Sequence, residues 1–216
     1  MAFTFDLSQV DHLLSTTRAV RKRLDLTRPV PRDLVLDCIR LATQAPAGQN
    51  IQKWRWLVID DPKLKAGLAD IYRKAYQPYI DYQKKMVEKV GRSDASGIME
   101  SSDYLAQILE QVPVLVIPLL ADRMTESTPV ARQASRWGSI LPGVWSFMLA
   151  LRERGLGSCW TTLHLGDEKL VAERFGVPYE QFTQAGLFPV AHTIGTDFKL
   201  AKRPPAETFI RWNSWT

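Results

Sequence analysis

The sequence predicts a single domain, residues 1–216, that mixes helices with a few buried strands. Three observations carry this. A chain of 216 residues, 45% hydrophobic and 24% charged, is enough for one sizeable core and has ordinary globular composition. Apolar runs that read as strands recur at 54–59, 112–120, 158–163 and 184–195. Between them lie stretches of helical period, the longest over 132–154.

In chain order, Ser8 caps a first helix over 8–14, with Val10, Leu13 and Leu14 on one face. The segment 15–23, STTRAVRKR, packs four cations into six residues. Arg18 and Arg21 are three apart, so a helical turn would aim them the same way. Two guanidiniums so placed clamp a phosphate with forked hydrogen bonds; a solvated basic turn is the competing reading. Residues 29–33 form a turn, and Pro31 suits the first position of a helix running to Ala45. Its inner face is Leu34, Val35, Cys38, Ile39 and Ala42. Ala45-Pro46 ends that helix, because proline disfavours the α region for the residue before it. Ala47 and Gly48 leave the backbone open to a flat or anionic ligand. Asn50 and Gln52 alternate, so an extended chain puts both amides on one face. Residues 54–59 then read as a buried strand.

Asp61-Pro62 opens the next helix, with Leu64, Leu68 and Ile71 inward. The polar stretch that follows, with Tyr76, Tyr79, Tyr82 and Met86 at helical spacings, supports two readings equally. One is a helical lid over a site at 76–97; the other is a surface helix with its aromatic face on the body. A helix at 99–111 leads into 112–120, whose near-continuous apolar content calls for cover on both faces. After a loop at 122–129, the helix at 132–154 is apolar around nearly its whole circumference. Such a helix must be buried all round, and a second copy of the chain is one way to bury it. Pro142 within it implies a kink or a broken start. Gly155 to Gly157 end it, a strand follows at 158–163, and a short helix at 167–175 is closed by Gly176. The tail at 203–216 carries Phe209, Ile210, Trp212 and Trp215, aromatic surface that must dock on its own body or on a partner.

The net charge of +5 fits an anionic small ligand at least as well as nucleic acid, and neither a basic stripe nor a known nucleic-acid module is present. Cys38 and Cys159 read as buried thiols, without metal or redox spacing. The first residues lack the pattern of a secretory signal, and the longest apolar stretch, 140–151, is too short for a membrane span. A reducing, cytoplasmic setting is expected, with no membrane and no nucleic acid among its partners. Gly155-Leu-Gly157 is not a dinucleotide turn: position 160 is Trp, and the glycines follow a helix. His12, His164 and His192 lack metal-ligand spacing, and no nucleophile elbow or paired-carboxylate site is present. An enzyme built this way leaves its chemistry to a bound cofactor.

Five segments, in order, resemble the FMN-dependent nitroreductase family along nearly the whole chain. Residues 17–22, TRAVRK, are similar to its Arg-Arg-Ser-x-Arg phosphate motif. Val30-Pro31 and the helix after it match its second element. Residues 45–54, APAGQNIQKW, resemble its Ala-Pro-Ser-x-x-Asn-x-Gln-Pro-Trp loop. Residues 138–157 resemble its central helix and Gly-Leu-Gly exit, and Arg203-Pro204-Pro205 with the tryptophans after it resembles its C-terminus. Thr17, Ala19, Ala47 and Lys53 depart from the pattern, which leaves Arg18, Arg21 and Arg203 for the phosphate.

The resemblance implies an α+β fold, a central, mostly antiparallel sheet flanked by helices, in an intertwined homodimer with two FMN sites at its interface. The 203–216 arm would dock on the partner subunit. Implied FMN contacts are Arg18, Ala19, Val20, Arg21 and Arg203 at the phosphate, and Pro46, Ala47, Gly48, Asn50 and Gln52 along the flavin. Pro142 of the central helix joins them, with Thr161, Thr162 and Leu163 at the isoalloxazine edge. The implied reaction passes hydride from NADH or NADPH through flavin N5 to a nitroaromatic, quinone or similar acceptor in ping-pong order, with no catalytic side chain and no metal. Relatives within the fold offer alternatives: reductive dehalogenation, or flavin sequestration without NAD(P)H oxidation.

Overall fold

An antiparallel sheet divides the computed structural model, which describes residues 5–90 and 95–215, into two apolar layers. The helices are α1 (Leu7–Thr16), α2 (Arg32–Ala42), α3 (Pro62–Val90), α4 (Ala95–Ile108), α5 (Val130–Glu153) and α6 (Glu168–Arg174). The strands are β1 (Trp54–Ile59), β2 (Val114–Leu120), β3 (Leu156–Ser158), β4 (Thr183–Gln184) and β5 (Phe188–His192). Their order is β1-β2-β5-β3, with β4 also paired to β2, and each of these pairings is antiparallel. This is the helix-flanked α+β sheet that the family resemblance implies.

All seven residues of β2 are buried, as its sequence requires. Val114, Val116 and Leu120 enter one core with α2 and α5. Leu115, Ile117 and Leu119 enter the other with α3 and α4. Each such side chain contributes about 1.5–3 kcal/mol on burial, so β2 fastens both layers. β1, by contrast, lies at the sheet edge: Trp54 and Ile59 are buried, but Arg55 and Val58 are exposed. The strand expected to be buried is therefore a half-buried edge strand.

Several boundaries differ for local reasons. Asp6, not Ser8, caps α1, its carboxylate accepting from the N–H groups of Ser8 (3.0 Å) and Gln9 (3.3 Å). Val10 and Leu14 of that helix stay exposed. Pro31 lies just outside α2, which ends at Ala42 rather than Ala45. Leu64, expected inward, is exposed, while Leu68 and Ile71 are buried. α3 runs on to Val90 through Pro78, an exposed position. Tyr76 and Ile80 join the core, whereas Tyr79, Tyr82 and Met86 face outward. The 76–97 stretch thus begins as a core helix, and residues 91–94 lie outside the described residues.

α5 is continuous through Pro142. Ile140, Val144, Phe147 and Leu151 are buried, but Leu141 and Leu149 are half-buried and Trp145 is exposed. One stripe of this apolar helix is therefore not covered by its own chain. Gly155, at φ 69°, turns α5 directly into β3, so the strand expected at 158–163 occupies 156–158 instead. Of the rest, Thr161 alone makes a bridge, to Leu187. The strand expected at 184–195 is split into β4 and β5 at Gly186, φ 140°, where a Cβ would lie 2.2 Å from Trp160 Nε1. Gly176, φ 65°, follows α6 as expected.

Candidate functional site

Residues 17–24 are extended and then turned rather than helical. The Val20 N–H donates to Ser158 O (2.8 Å), and the buried side chains of Val20 and Leu24 anchor the segment on the α3–α4 face. A Cβ on Gly157 would lie 3.0 Å from Val20 and 2.7 Å from Thr193, so glycine permits this close approach. The Arg18–Arg21 clamp therefore does not form on a helical turn. Instead, residues 18–23 wrap a cavity of about 300 Å³ completed by Ser101 and Phe198.

The four cations have different partners. Arg18 directs Nε to Lys199 O (3.1 Å), and its Nη2 donates to the same oxygen. Arg21 sits beside the Cys159 thiol and acts on the Tyr72 phenol. Lys22 pairs with Glu100 at 2.5 Å. Arg23 pairs with Asp197 at 2.6 Å, which holds that carboxyl below its usual range. Arg23 and Arg152 also lie over the Phe198 ring, at 4.2 and 4.4 Å from its centroid. Phe198 escapes sequence reading because it reaches the cluster from far along the chain.

At the end of β3 the chain passes into the predicted flavin-edge residues. Thr161 exchanges backbone hydrogen bonds with Leu187 (3.0 and 2.8 Å), and its hydroxyl meets the Tyr72 hydroxyl at 2.8 Å. Its side chain is thus turned into the protein. Thr162 is exposed, and Leu163 starts a short 3₁₀ turn. Burial pushes the Tyr72 phenol up to about 12, against the opposing bond to Thr161. Burial likewise pushes the Cys159 thiol up to about 11, with Arg21 opposing. Sequence reading missed Tyr72, although its place one residue after Ile71 on the inner side of α3 was a usable signal.

The loop at 46–52 is elsewhere. Gly48–Asn50 is a 3₁₀ turn in which Gln49 (φ 59°) and Asn50 (φ 54°) are left-handed. Asn50 and Gln52 therefore do not share one face of an extended chain. Gln52 Nε2 instead donates to Thr43 O, closing the loop onto the end of α2. Ala45 and Ala47 pack on the α2–α5 core, and Gly48 faces Ser135 of α5. Pro142 is half-buried on α5, and its neighbour Gly143 admits the Trp54 ring, where a Cβ would stand only 2.9 Å away. Arg203 is exposed, as is the tail, with Trp212 82% and Trp215 84% accessible.

A single chain thus brings Ala19 and Val20 onto Ser158 at the end of β3, with Arg18 and Arg21 on either side of them. It leaves Pro46–Gln52 and Pro142 with the layer on the other face of the sheet. Among the described residues, no group of three or more His, Cys, Asp or Glu side chains is placed to hold a metal, and no helix is long and apolar enough to cross a membrane. His164 is fully buried with neither ring nitrogen partnered among them, and burial pushes it down to about 4, with Gln184 opposing.

Known proteins share this fold. The nitroreductase family model matches residues 14–192. Iodotyrosine deiodinase from Thermotoga neapolitana is 26% identical over 202 residues, covering 94% of this chain and 97% of that protein. The Bacillus subtilis protein YdgI, whose name gives NAD(P)H nitroreductase as a provisional activity, is 24% identical over 209 residues, covering 93% and 95%. The crystal structure of the FMN-dependent nitroreductase NfnB from Mycobacterium smegmatis in complex with NADPH superposes with a TM-score of 0.69 at 19% identity, covering 97% of this chain and 100% of that one. The match takes in every strand of the sheet and the basic segment that borders it, and the chain belongs to the nitroreductase family.

Proposed function

We propose that the protein is an FMN-dependent oxidoreductase. It takes hydride from NADH or NADPH and reduces a nitroaromatic, quinone or similar small acceptor in ping-pong order, working as a homodimer. The observation that carries this reading is the cavity lined by Arg18–Arg23, a segment fastened to the end of β3 through the Val20 N–H and Ser158 O. The donor set fits a phosphorylated flat ligand: guanidiniums for the phosphate, uncovered backbone at Ala19, and an exposed hydroxyl at Thr162. Bound FMN supplies a ring nitrogen, N5, that accepts hydride from one substrate and yields it to the next.

The chain's own residues bind and position. Arg18 and Arg21 hold the phosphate with the backbone of Ala19 and Val20, and Arg203 adds charge from the arm. Thr162 and Leu163 border the isoalloxazine edge, Thr161 holding them from behind. Pro46, Ala47, Gly48, Asn50, Gln52 and Pro142 line the flavin from a second copy. Support for that division comes from Ala45 and Ala47, which pack in the layer across the sheet from Val20 and Leu24 of the basic segment. The division also accounts for the uncovered apolar surface of Leu7, Trp145 and Trp212. The exposed half of α3, with Tyr79 and Tyr82, covers the acceptor side. The pairing of Lys22 with Glu100 and of Arg23 with Asp197 supports a small anionic ligand over nucleic acid. The cysteines Cys38 and Cys159, buried and unbridged, suit a reducing cytoplasm.

The likeness to iodotyrosine deiodinase over 94% of this chain favours a second reading, reductive dehalogenation. The deciding experiment is an absorbance spectrum of the purified protein with its flavin identified after release, followed by NADH or NADPH without oxygen. Flavin peaks that bleach with a nicotinamide support the reductase. Bound FMN that neither nicotinamide bleaches favours dehalogenation or flavin sequestration. Failure to bind added FMN rejects the cofactor assignment.

A further inference from the structure

We infer that Tyr72 is a positioning residue for the flavin edge: its hydroxyl fixes Thr161, so that Thr162 is the residue presented to the ligand. This inference rests on the flavin site proposed above. Tyr72 is among the largest fully buried side chains, and its one polar atom meets Thr161 Oγ1 at 2.8 Å. The backbone N–H and C=O of Thr161 are both committed to Leu187. Thr161 is therefore tied to the protein through its N–H, its C=O and its hydroxyl, with its side chain directed at Tyr72. Thr162, next in the chain and exposed, is held in place by a neighbour fixed at three points.

The same phenol belongs to a wider group. Arg21 acts on both Tyr72 and Cys159 from the phosphate side of the cavity. Tyr72 thus stands between the residues assigned to the two ends of the cofactor. It is also carried by α3, one turn before Tyr76, which borders a second cavity of about 290 Å³ with Lys84, Met99 and Asp103. Residues that orient a ligand-contacting group from behind commonly change function by tenfold or more when altered.

The test compares Tyr72→Phe, Thr161→Val, Thr161→Ser and the Phe/Val double variant in the FMN-loaded protein. The readouts are the reduction potential and visible band of the bound flavin, its dissociation constant and its rate of reduction. Tyr72→Phe and Thr161→Val are each expected to shift the potential in the same direction. Each slows flavin reduction about tenfold and leaves FMN affinity within about threefold of wild type. Thr161→Ser restores the potential lost in Thr161→Val. The double variant is no worse than either single one, because both remove the same hydrogen bond. If Tyr72→Phe lowers thermal stability while potential and visible band stay those of wild type, Tyr72 is only structural and the inference falls. Additive effects in the double variant overturn it as well. Should Tyr72→Phe fail to fold, the shift in Thr161→Val and its recovery in Thr161→Ser decide the matter. Wild-type protein that takes up no FMN rejects the functional reading, and this inference with it, before any variant is compared.

Discussion

Arg18 and Arg21 approach the same cavity with different commitments. Arg18 already donates to the Lys199 carbonyl, so binding a phosphate means exchanging that partner. Arg21 lines the same cavity and lies beside the buried Cys159 thiol, with no backbone carbonyl among the described residues to give up. Hydrogen bonds to charged groups are worth about 1.5–3 kcal/mol. Arg21→Ala is therefore expected to weaken FMN binding at least about tenfold, and Arg18→Ala by less, as read by flavin titration. A backbone counterpart is Gly186, whose φ of 140° and proximity to Trp160 exclude any side chain. Gly186→Ala is expected to cost about 2 kcal/mol or more in urea unfolding. His164 gives a pH dependence. Its folded value is depressed to about 4 from an ordinary 6.5, so the unfolded chain binds the extra proton first. Stability from this group is complete above about 6.5 and declines by up to about 3 kcal/mol as pH falls towards 4. A His164→Leu variant should show a flatter denaturant midpoint across that window.

Elements announced themselves in the sequence to the degree that their own residues determine them. β2 is legible because all seven of its residues are apolar and all seven are buried. α5 is legible to within two residues at each end, since its apolar run admits no other period. The basic segment and Thr161 to Leu163 are site residues that the family pattern implies, and the structure fastens the basic segment to Ser158, three residues before Thr161. What was not legible depends on neighbours or on backbone. Nothing within residues 54–59 says that β1 lies at the sheet edge. The amide pair Asn50 and Gln52 was read on an extended chain, whereas Gln49 and Asn50 are left-handed. Phe198 and Tyr72 join the site through contacts remote in sequence, which no local pattern encodes. At this scale, Gly143 is the close contact between α5 and Trp54. Gly143→Val is expected to overpack that contact and lower stability by about 1–3 kcal/mol in chemical denaturation.

For the whole molecule, the open stripe of α5, the exposed side of α1 and the aromatic tail leave Trp145, Leu7, Trp212 and Trp215 uncovered, and the proposed homodimer would cover them. Trp145→Glu, or removal of residues 203–216, is expected to yield monomers in sedimentation that no longer retain FMN. A monomer that still binds FMN normally would separate the cofactor site from the dimer. The place of β2 has a consequence of another kind. Its neighbours in the sheet come from residues 54–59 on one side and 188–192 on the other. During synthesis the most apolar strand of the chain therefore emerges long before its second partner exists. Such non-local pairing folds slowly, with aggregation-prone surface exposed meanwhile. Until residue 192 has left the ribosome, β2 has an open side, and that interval is when the chain most needs a chaperone.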